Sequence, residues 1–521
     1  MSTNKVCILT AGVGSRMGIY ADLTNKVLLP LCDKAIISHI IEKFPNKKFV
    51  VAVGFESQQV KDYIGMAHPE IDVTFVEVNP YQGPGSGPGY SLSCCEPYLH
   101  EPFVLVCGDT LWSEEIDIEE PGNWMGTYQF RDEDKSSYCL VETKKDGSIL
   151  KLWDKQEVQS VNPIYAYTGL SKIEDTNTFF RGLRNGTLIA GEWQLSNGHQ
   201  ALIDEGKLVT YLMPTWVDVG TIDRYRRALA LQSEYYDFSK NDEMFYEVNE
   251  HVIKFFKDKK TLRDRVHRAK EFYPLFPKID KETEHFYSYK KIPGKILYEC
   301  IDASLLQQFL HFLEVEVWHT RSMDLKSYTS LCHIFYYEKT QERIKKISQR
   351  HTDLFTPVMY QGALLDPKVV ISNINWNLLE QGVPVRFHGD LQFENVLFDI
   401  ETHQFTLIDI RQNFAGDTEV GDLYYDLGKM YMGMICNLSR VRKKQFHYEK
   451  IGDEVLVEFP DLSLELQDQF KNYVYSKGLD FNKVKLMAGL IMVNMAGLHT
   501  QPLDLALWYF GLNQIRKCQK V

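Results

Sequence analysis

Asp390 and Asn395 share one short stretch, residues 386–395, and Asp409 follows fourteen residues after Asn395. A carboxylate, a carboxamide and a second carboxylate at this spacing are the groups that phosphoryl transfer from ATP requires. Asp390 can orient and deprotonate a substrate hydroxyl, while Asn395 and Asp409 can hold the magnesium that clamps the phosphates. A second phosphate-handling pattern opens the chain, where Gly12, Gly14, Ser15, Arg16 and Gly18 follow an apolar run. Backbone N–H groups of a glycine loop between a strand and a helix can approach phosphate oxygens. Arg16 adds a charge-assisted fork for the same phosphates. The pattern is neither a Walker loop nor a dinucleotide fingerprint, because the Lys-Ser/Thr ending and the final glycine spacing are missing. Lys26 sits just beyond this loop, Asp109 ends an apolar run, and Asp218 precedes a tight turn at Gly220. Two such patterns in one polypeptide point to two consecutive steps of one pathway.

The elements that must position these groups read as follows. Residues 5–10, 48–54, 73–78 and 103–107 are apolar runs of strand length, and 57–64 is helical. Strands alternating with helical patterns indicate a doubly wound α/β sheet, which binds ligands at the carboxyl ends of its strands. Gly12–Gly18 and Gly108–Asp109 both lie at such ends. A helix is expected over 222–231. The polar, turn-rich stretch 239–243 places a domain boundary there, giving domains 1–238 and 239–521. Beyond it come a short strand around Lys254, a basic helix at 261–272, and a strand running into a turn at 286–294. From Ser304 onward the periodicity is mostly helical, interrupted by the Asp390–Asp409 region.

A chain of 521 residues is too long for one core. Its net charge of -12 leaves no excess of Lys and Arg to neutralise nucleic-acid phosphates, so small-molecule partners are expected and nucleic acid is not. The ten cysteines form no CxxC pairs or Cys/His clusters, which speaks against zinc and disulfides and for a reducing, cytoplasmic setting. The N-terminus shows no charged-then-apolar signal pattern. The longest apolar tract, 486–498, is too short to span a bilayer and reads as a buried helix. Oligomerisation is left open by the sequence.

Residues 1 to about 230 resemble the sugar-1-phosphate nucleotidylyltransferases, with the phosphocholine cytidylyltransferases as a related branch. The matching pieces are Ala11–Gly18, Lys26 before Leu28-Leu29-Pro30, Gly108–Asp109, Tyr165–Leu170, Gly191–Gly198 and Trp216–Thr221. The resemblance implies a Rossmann-like fold and an Asp109–Asp218 pair binding magnesium between nucleotide and acceptor phosphate. Arg16 and Lys26 would stabilise charge spread over the phosphates. Gln82, Gly87 and Gly89 lie where the family reads the base. Asp154, Lys155, Thr168, Gly169 and Glu192 lie where it holds the sugar phosphate. Asn25-Lys26 replaces the usual Pro-Lys pair, Asp154-Lys155-Gln156 the Glu-Lys-Pro element, and Leu195-Ser196-Asn197 the Leu-Thr-Asp element. These departures bear on substrate and base rather than on reaction type.

Residues from about 245 to 521 resemble the aminoglycoside phosphotransferase and choline kinase superfamily. The carriers are His388-Gly389-Asp390 with Asn395, Leu407–Arg411, and Gly421–Leu427, whose aspartates brace the catalytic loop in that family. The resemblance implies a two-lobed, protein-kinase-like α+β domain, with an amino lobe at about 243–300 and a carboxy lobe at about 301–521. Lys254 would reach the ATP phosphates, Glu271 would be its helical partner, and Tyr289 to Gly294, Ile292 included, would form the adenine hinge. His388 would be structural.

The combined expectation is a bifunctional enzyme with magnesium at both sites. The second domain would phosphorylate a small hydroxylated compound, a sugar, with ATP. The first would join that phosphate to NMP from CTP or UTP (or dTTP), giving an activated precursor of a surface polysaccharide such as a capsule. Covalent fusion would raise the local concentration of the intermediate. One alternative is an amino alcohol such as choline, yielding a CDP-alcohol. The other is that one domain is a non-catalytic ligand sensor.

Overall fold

The computed structural model describes residues 3–129, 137–145, 148–158, 160, 162–232 and 242–519. The domain boundary expected near 238 lies outside the described residues. The chain divides into two compact units, Met1–Ser233 with Asn241–Lys257, and Glu234–Lys240 with Asp258–Val521.

In the first unit the apolar runs become strands Lys5–Leu9, Lys48–Val53, Asp72–Glu77 and Phe103–Cys107. They are parallel, with Lys5–Leu9 between Phe103–Cys107 and Lys48–Val53, and Asp72–Glu77 outermost. Their continuous Val, Ile and Leu runs reflect burial on both faces of a parallel sheet. Val6, Cys7, Ile8, Val51, Ala52 and Leu105 are almost wholly buried. Ile164–Ile173 joins antiparallel to Phe103–Cys107, followed by Cys139–Thr143 and Ile149–Asp154. Asn123–Tyr128 and Leu208–Leu212 complete nine strands among the described residues. Leu9 lies opposite both Ala52 and Cys107, so Lys5–Leu9 is the point where strand order reverses. The crevice at such a reversal receives ligands, and the Gly12–Gly18 loop and Asp109 emerge there.

The antiparallel hairpin Glu243–Val248 and His251–Phe256 also belongs to the first unit. Tyr246 donates its hydroxyl to Leu28 O at 2.7 Å, and Glu247 N–H donates to Asp33 O at 2.6 Å. The Tyr63 and Tyr246 rings meet edge to face at 4.9 Å. The sequence reading places this hairpin at the start of the second domain.

The second unit opens on helix Lys259–Glu271, which starts where Asp258 accepts the N–H groups of Lys260 and Thr261. A hairpin, Ile279–Glu282 with Phe286–Lys290, follows. A second hairpin, Val396–Asp399 with Gln404–Leu407, lies between the Asp390 and Asp409 loops. The remainder is mainly helical. The expected buried tract forms helix Phe481–Ala496, which crosses Leu503–Cys518 so closely that a Cβ on Gly489 would stand 2.9 Å from Gly511 O. No helix among the described residues is long and apolar enough to cross a membrane. All ten cysteines are free.

Candidate active sites

At the sheet reversal of the first unit, Asp109 follows strand Phe103–Cys107, and Asp218 ends a two-residue strand, Val217–Asp218, paired antiparallel with Thr110–Leu111. That ribbon brings together two carboxylates more than one hundred residues apart in sequence. A Cβ built on Gly220 would lie 2.8 Å from Asp109 Oδ2 and 3.0 Å from Asp218 Oδ1, so both oxygens face one point. Asp218 Oδ1 also accepts from Gly220 N–H at 2.7 Å. Lys26 Nζ donates to Asp109 Oδ2 at 2.5 Å, and Arg224 donates to Asp218 Oδ2 at 2.5 Å. Burial raises the Asp109 carboxyl, but the charge and hydrogen bond of Lys26 outweigh burial and hold it below the usual range. Asp218 moves the other way, pushed up by burial first and by the Asp109 charge second. Hard oxygen donors converging on one point, with repulsion to relieve, fit magnesium.

The two aspartates line a cavity of about 510 Å³. Ser15 and Arg16 border it from the glycine loop, where Gly14 has φ 68° and a Cβ would touch the Lys26 stem at 3.4 Å. Asp154, Lys155, Thr168, Gly169 and Glu192 also border it. Lys155 Nζ is held by Glu192 at 2.7 Å, and Asp154 accepts from Ser196 Oγ at 2.6 Å. Burial pushes the Asp154 carboxyl up. Gly169 takes φ 84°, and a Cβ there would press on Thr110 Oγ1 at 2.8 Å.

Gly87 and Gly89 are required by a close backbone approach. A Cβ would meet Trp193 O at 2.5 Å from Gly87 and Gln194 O at 2.7 Å from Gly89. Gly89 N–H donates to Trp193 O, and Trp193 N–H donates to Ser86 O. Pro88 between them borders the cavity. Gly12 and Gln82 are exposed. Arg224, Tyr138, Tyr167 and Trp216 line the cavity and were not among the sequence candidates. The usable signal for Arg224 was its place six residues beyond Asp218, the first of three arginines with Arg226 and Arg227. The aromatics carried none, since an aromatic in a strand usually reads as core.

In the second unit, Asp426 is the organising residue. Wholly buried on helix Leu423–Ile435, it accepts from His388 N–H at 2.8 Å, Gly389 N–H at 2.7 Å and Trp318 Nε1–H at 3.0 Å. Burial pushes its carboxyl up to about 6, against the pull of those donors. The clamp turns the loop so that Asp390 emerges partly exposed after Gly389, whose φ is 83°. His388 Nε2 meets Ile408 O at 2.9 Å and its Nδ1 accepts from Asp390 N–H at 3.2 Å, a bracing role. Burial pushes the His388 imidazole down to about 4.

Asn395 Nδ2 donates to Asp390 O at 2.8 Å, which turns its carboxamide oxygen away from that bond. The Asp409 loop is tied to the same segment: Ile408 N–H donates to Asn395 O at 2.9 Å, and Arg411 N–H donates to His388 O at 3.0 Å. Asp409 between them has φ 57°. The structure thus brings Asp390, Asn395 and Asp409 together, and their carboxylate and carboxamide oxygens are of the type that holds magnesium. Lys429 Nζ lies 2.8 Å from Asp390 Oδ1.

Three further candidates are placed as follows. Lys254 is buried on its strand in the first unit, with Nζ 5.7 Å from the Phe245 ring centroid. Tyr289 packs its ring on Phe276 at 5.7 Å and is buried, which leaves only its backbone for an adenine contact, while Ile292 is partly exposed. Glu271, expected to pair with Lys254, gives Oε1 to Arg321 at 2.5 Å. It is the last residue of its helix and meets the cation that tertiary packing brings there.

Comparison with known proteins bears on the first unit. Residues 6–119 match the family model of the MobA-like NTP transferase domain. The bifunctional protein GlmU of Methanococcus maripaludis is 27% identical over 218 residues, covering 41% of this chain and 50% of its own. GlmU of Methanocaldococcus jannaschii is 27% identical over 217 residues, with the same two coverages. The chain therefore spans about half the length of the curated relatives it matches. Among solved structures, UDP-glucose pyrophosphorylase complexed with UDP-glucose is 16% identical with a TM-score of 0.39, covering 44% of this chain and 98% of that one. The enzyme of that name from Acinetobacter baumanii is 14% identical with a TM-score of 0.38, covering 44% and 92%.

Proposed function

We propose that the chain is a bifunctional enzyme whose second unit phosphorylates a hydroxylated small molecule with ATP. Its first unit then transfers NMP from an NTP to that phosphate and releases pyrophosphate. The observation that carries the reading is the pair of acidic oxygens, on Asp109 and Asp218, turned toward one point in a cavity that also holds Arg16 and Lys155. The MobA-like match over residues 6–119 supports the first reaction. Nucleotide-sugar synthesis for a surface polysaccharide is the setting we assign, with CTP, UTP or dTTP as donor and a sugar phosphate as acceptor.

In the first unit, Lys155 would hold the acceptor phosphate, and Asp154 would accept from hydroxyl groups of the same substrate. One of its oxygens attacks the α-phosphorus in line, a new P–O bond forms, and the bond to pyrophosphate breaks. Arg16 and Lys26 oppose positive charge to the phosphates during that exchange. Magnesium on Asp109 and Asp218 would supply further charge neutralisation when bound. Lys26, held by Asp109 at 2.5 Å, would be available to phosphate if Asp109 served as a metal ligand.

In the second unit, which we read as a two-lobed kinase-like domain spanning about 239–521, Asp390 takes the proton of the substrate hydroxyl. The hydroxyl oxygen bonds to the γ-phosphorus and ADP leaves. Asn395 and Asp409 would hold the magnesium, and Lys254, Tyr289 and Ile292 would contact the nucleotide.

The test measures ADP formation and pyrophosphate release separately, with four NTPs and a panel of hydroxyl compounds and their phosphates. Asp390→Asn is expected to abolish the first signal alone, and Asp109→Asn the second alone. Full activity in either variant would remove that residue from its assigned role.

A further inference from the structure

The surroundings of Asp390 carry an excess of positive charge. Besides Lys429, Arg411 runs its stem along Gly389, where an added Cβ would meet Arg411 Cβ at 2.6 Å and Cδ at 3.1 Å. The Arg411 guanidinium carbon stands 4.8 Å from the centroid of the Phe335 ring. Lys339 Nζ stands 4.0 Å from the same centroid and 5.5 Å from that of Tyr425. Arg343 lies one turn beyond Lys339 on helix Lys339–Ser348, on the same face. Its Nε is buried without a hydrogen-bond partner. Burial, then the charges of Arg411, Lys429 and Arg343, push the Lys339 ammonium down.

Among the described residues, the one salt bridge made by these four cations is Lys429 to Asp390. Glu342, beside Arg343, is bridged to Lys346 at 2.6 Å. Phe335 and the approach to Lys339 lie on a π-helical turn, Ile334–Glu338, that links helices Leu325–His333 and Lys339–Ser348. Such turns are rare and gather at functional sites. Like charges held this close disfavour one another unless an anion joins them.

We propose that Lys339, Arg343 and Arg411 form an anion subsite beside Asp390, so that the hydroxyl compound phosphorylated there already carries a phosphate or carboxylate group. The proposal rests on the kinase reading of the second unit and narrows its acceptor. It turns the site against an amino alcohol such as choline, because protein cations already occupy the faces of Phe335 and Tyr425 that would cradle an ammonium group.

The experiment is ADP formation by the full chain with Mg·ATP and compounds of matched skeleton and different charge. These are glycerol, glycerate, glycerol 3-phosphate and choline, then a hexose, its uronate and its 6-phosphate. An anionic member is expected to exceed its neutral counterpart in kcat/KM by about tenfold or more, and the carboxylate and phosphate arms separate the two sources of charge. Lys339→Met should raise KM for that member about tenfold with a smaller change in kcat, and Lys339→Arg should restore it. Preference for a neutral or cationic compound overturns the subsite and leaves the kinase reading standing. Absence of both ADP formation and calorimetric ATP binding sinks the kinase reading instead. If ATP binds but no compound turns over, inorganic phosphate and acetate are titrated into wild type and Lys339→Met. Weaker anion binding in the variant supports the subsite, and equal binding overturns it.

Discussion

Asp426 shows how much one buried carboxylate does at the scale of a residue. Three donors converge on it, two of them the backbone N–H groups that set the Asp390 loop. Asp426→Asn keeps the shape but replaces an accepting oxygen by a donor, leaving a buried N–H facing another. We expect a stability loss of about 2–3 kcal/mol in urea unfolding. ADP formation should fall sharply while pyrophosphate release persists. Unchanged ADP formation would show that the clamp does not position Asp390. Gly389→Ala tests the same loop through its backbone: φ 83° and the 2.6 Å approach to Arg411 Cβ both oppose a side chain. A cost of about 1–3 kcal/mol is expected from the conformation alone.

At the scale of elements, the segment 191–204 ties the first cavity to the core. Its helix Ser196–Asp204 buries His199 between the Tyr167 and Phe179 rings, at 5.1 and 5.2 Å. Burial pushes His199 down to about 3. The unfolded chain therefore takes up a proton near the ordinary histidine pKa, about 6.5, that the folded chain refuses. The stability contribution is complete above that value and is lost progressively as pH falls from about 6.5 toward 3. Asp426 has the opposite sign: its folded carboxyl is raised to about 6, so its contribution is complete below the unfolded value and is lost as pH rises through 6. Urea midpoints measured between pH 7.5 and 5 should fall with pH, and His199→Gln should flatten the slope. A slope unchanged in that variant would mean His199 is not the titrating group. Gly89→Ala addresses the other end of the segment, since the new Cβ would strike Gln194 O. Displacing Gln194 shifts Glu192 and Ser196, the partners of Lys155 and Asp154, and KM for the acceptor phosphate should rise about tenfold.

For the whole molecule, each candidate centre draws its acidic groups from a single unit. Asp109→Asn and Asp390→Asn proteins mixed together should therefore regenerate the final nucleotide-linked product from ATP, NTP and acceptor, because the first product diffuses between them. Chromatography of the mixture checks this, and failure of two individually half-active proteins to complement would contradict two separable centres.

Much of this architecture was legible before any coordinates. Runs such as Lys48–Val53 announce buried strands because a parallel sheet leaves no polar face. The glycine loop, Asp109 and the Asp390–Asn395–Asp409 spacing were readable because phosphate chemistry restricts which residue types serve. Sequence by itself thus determined the local elements and the chemical inventory, through periodicity and residue type, both of which act within a few positions. Tertiary structure alone decided that Lys26 binds Asp109, 83 residues away, that Glu271 turns to Arg321, that the Lys254 hairpin packs on the first unit, and that Lys339 and Arg411 share the Phe335 ring. Those pairings depend on which surfaces are buried against which, and no pattern along a single chain encodes that choice.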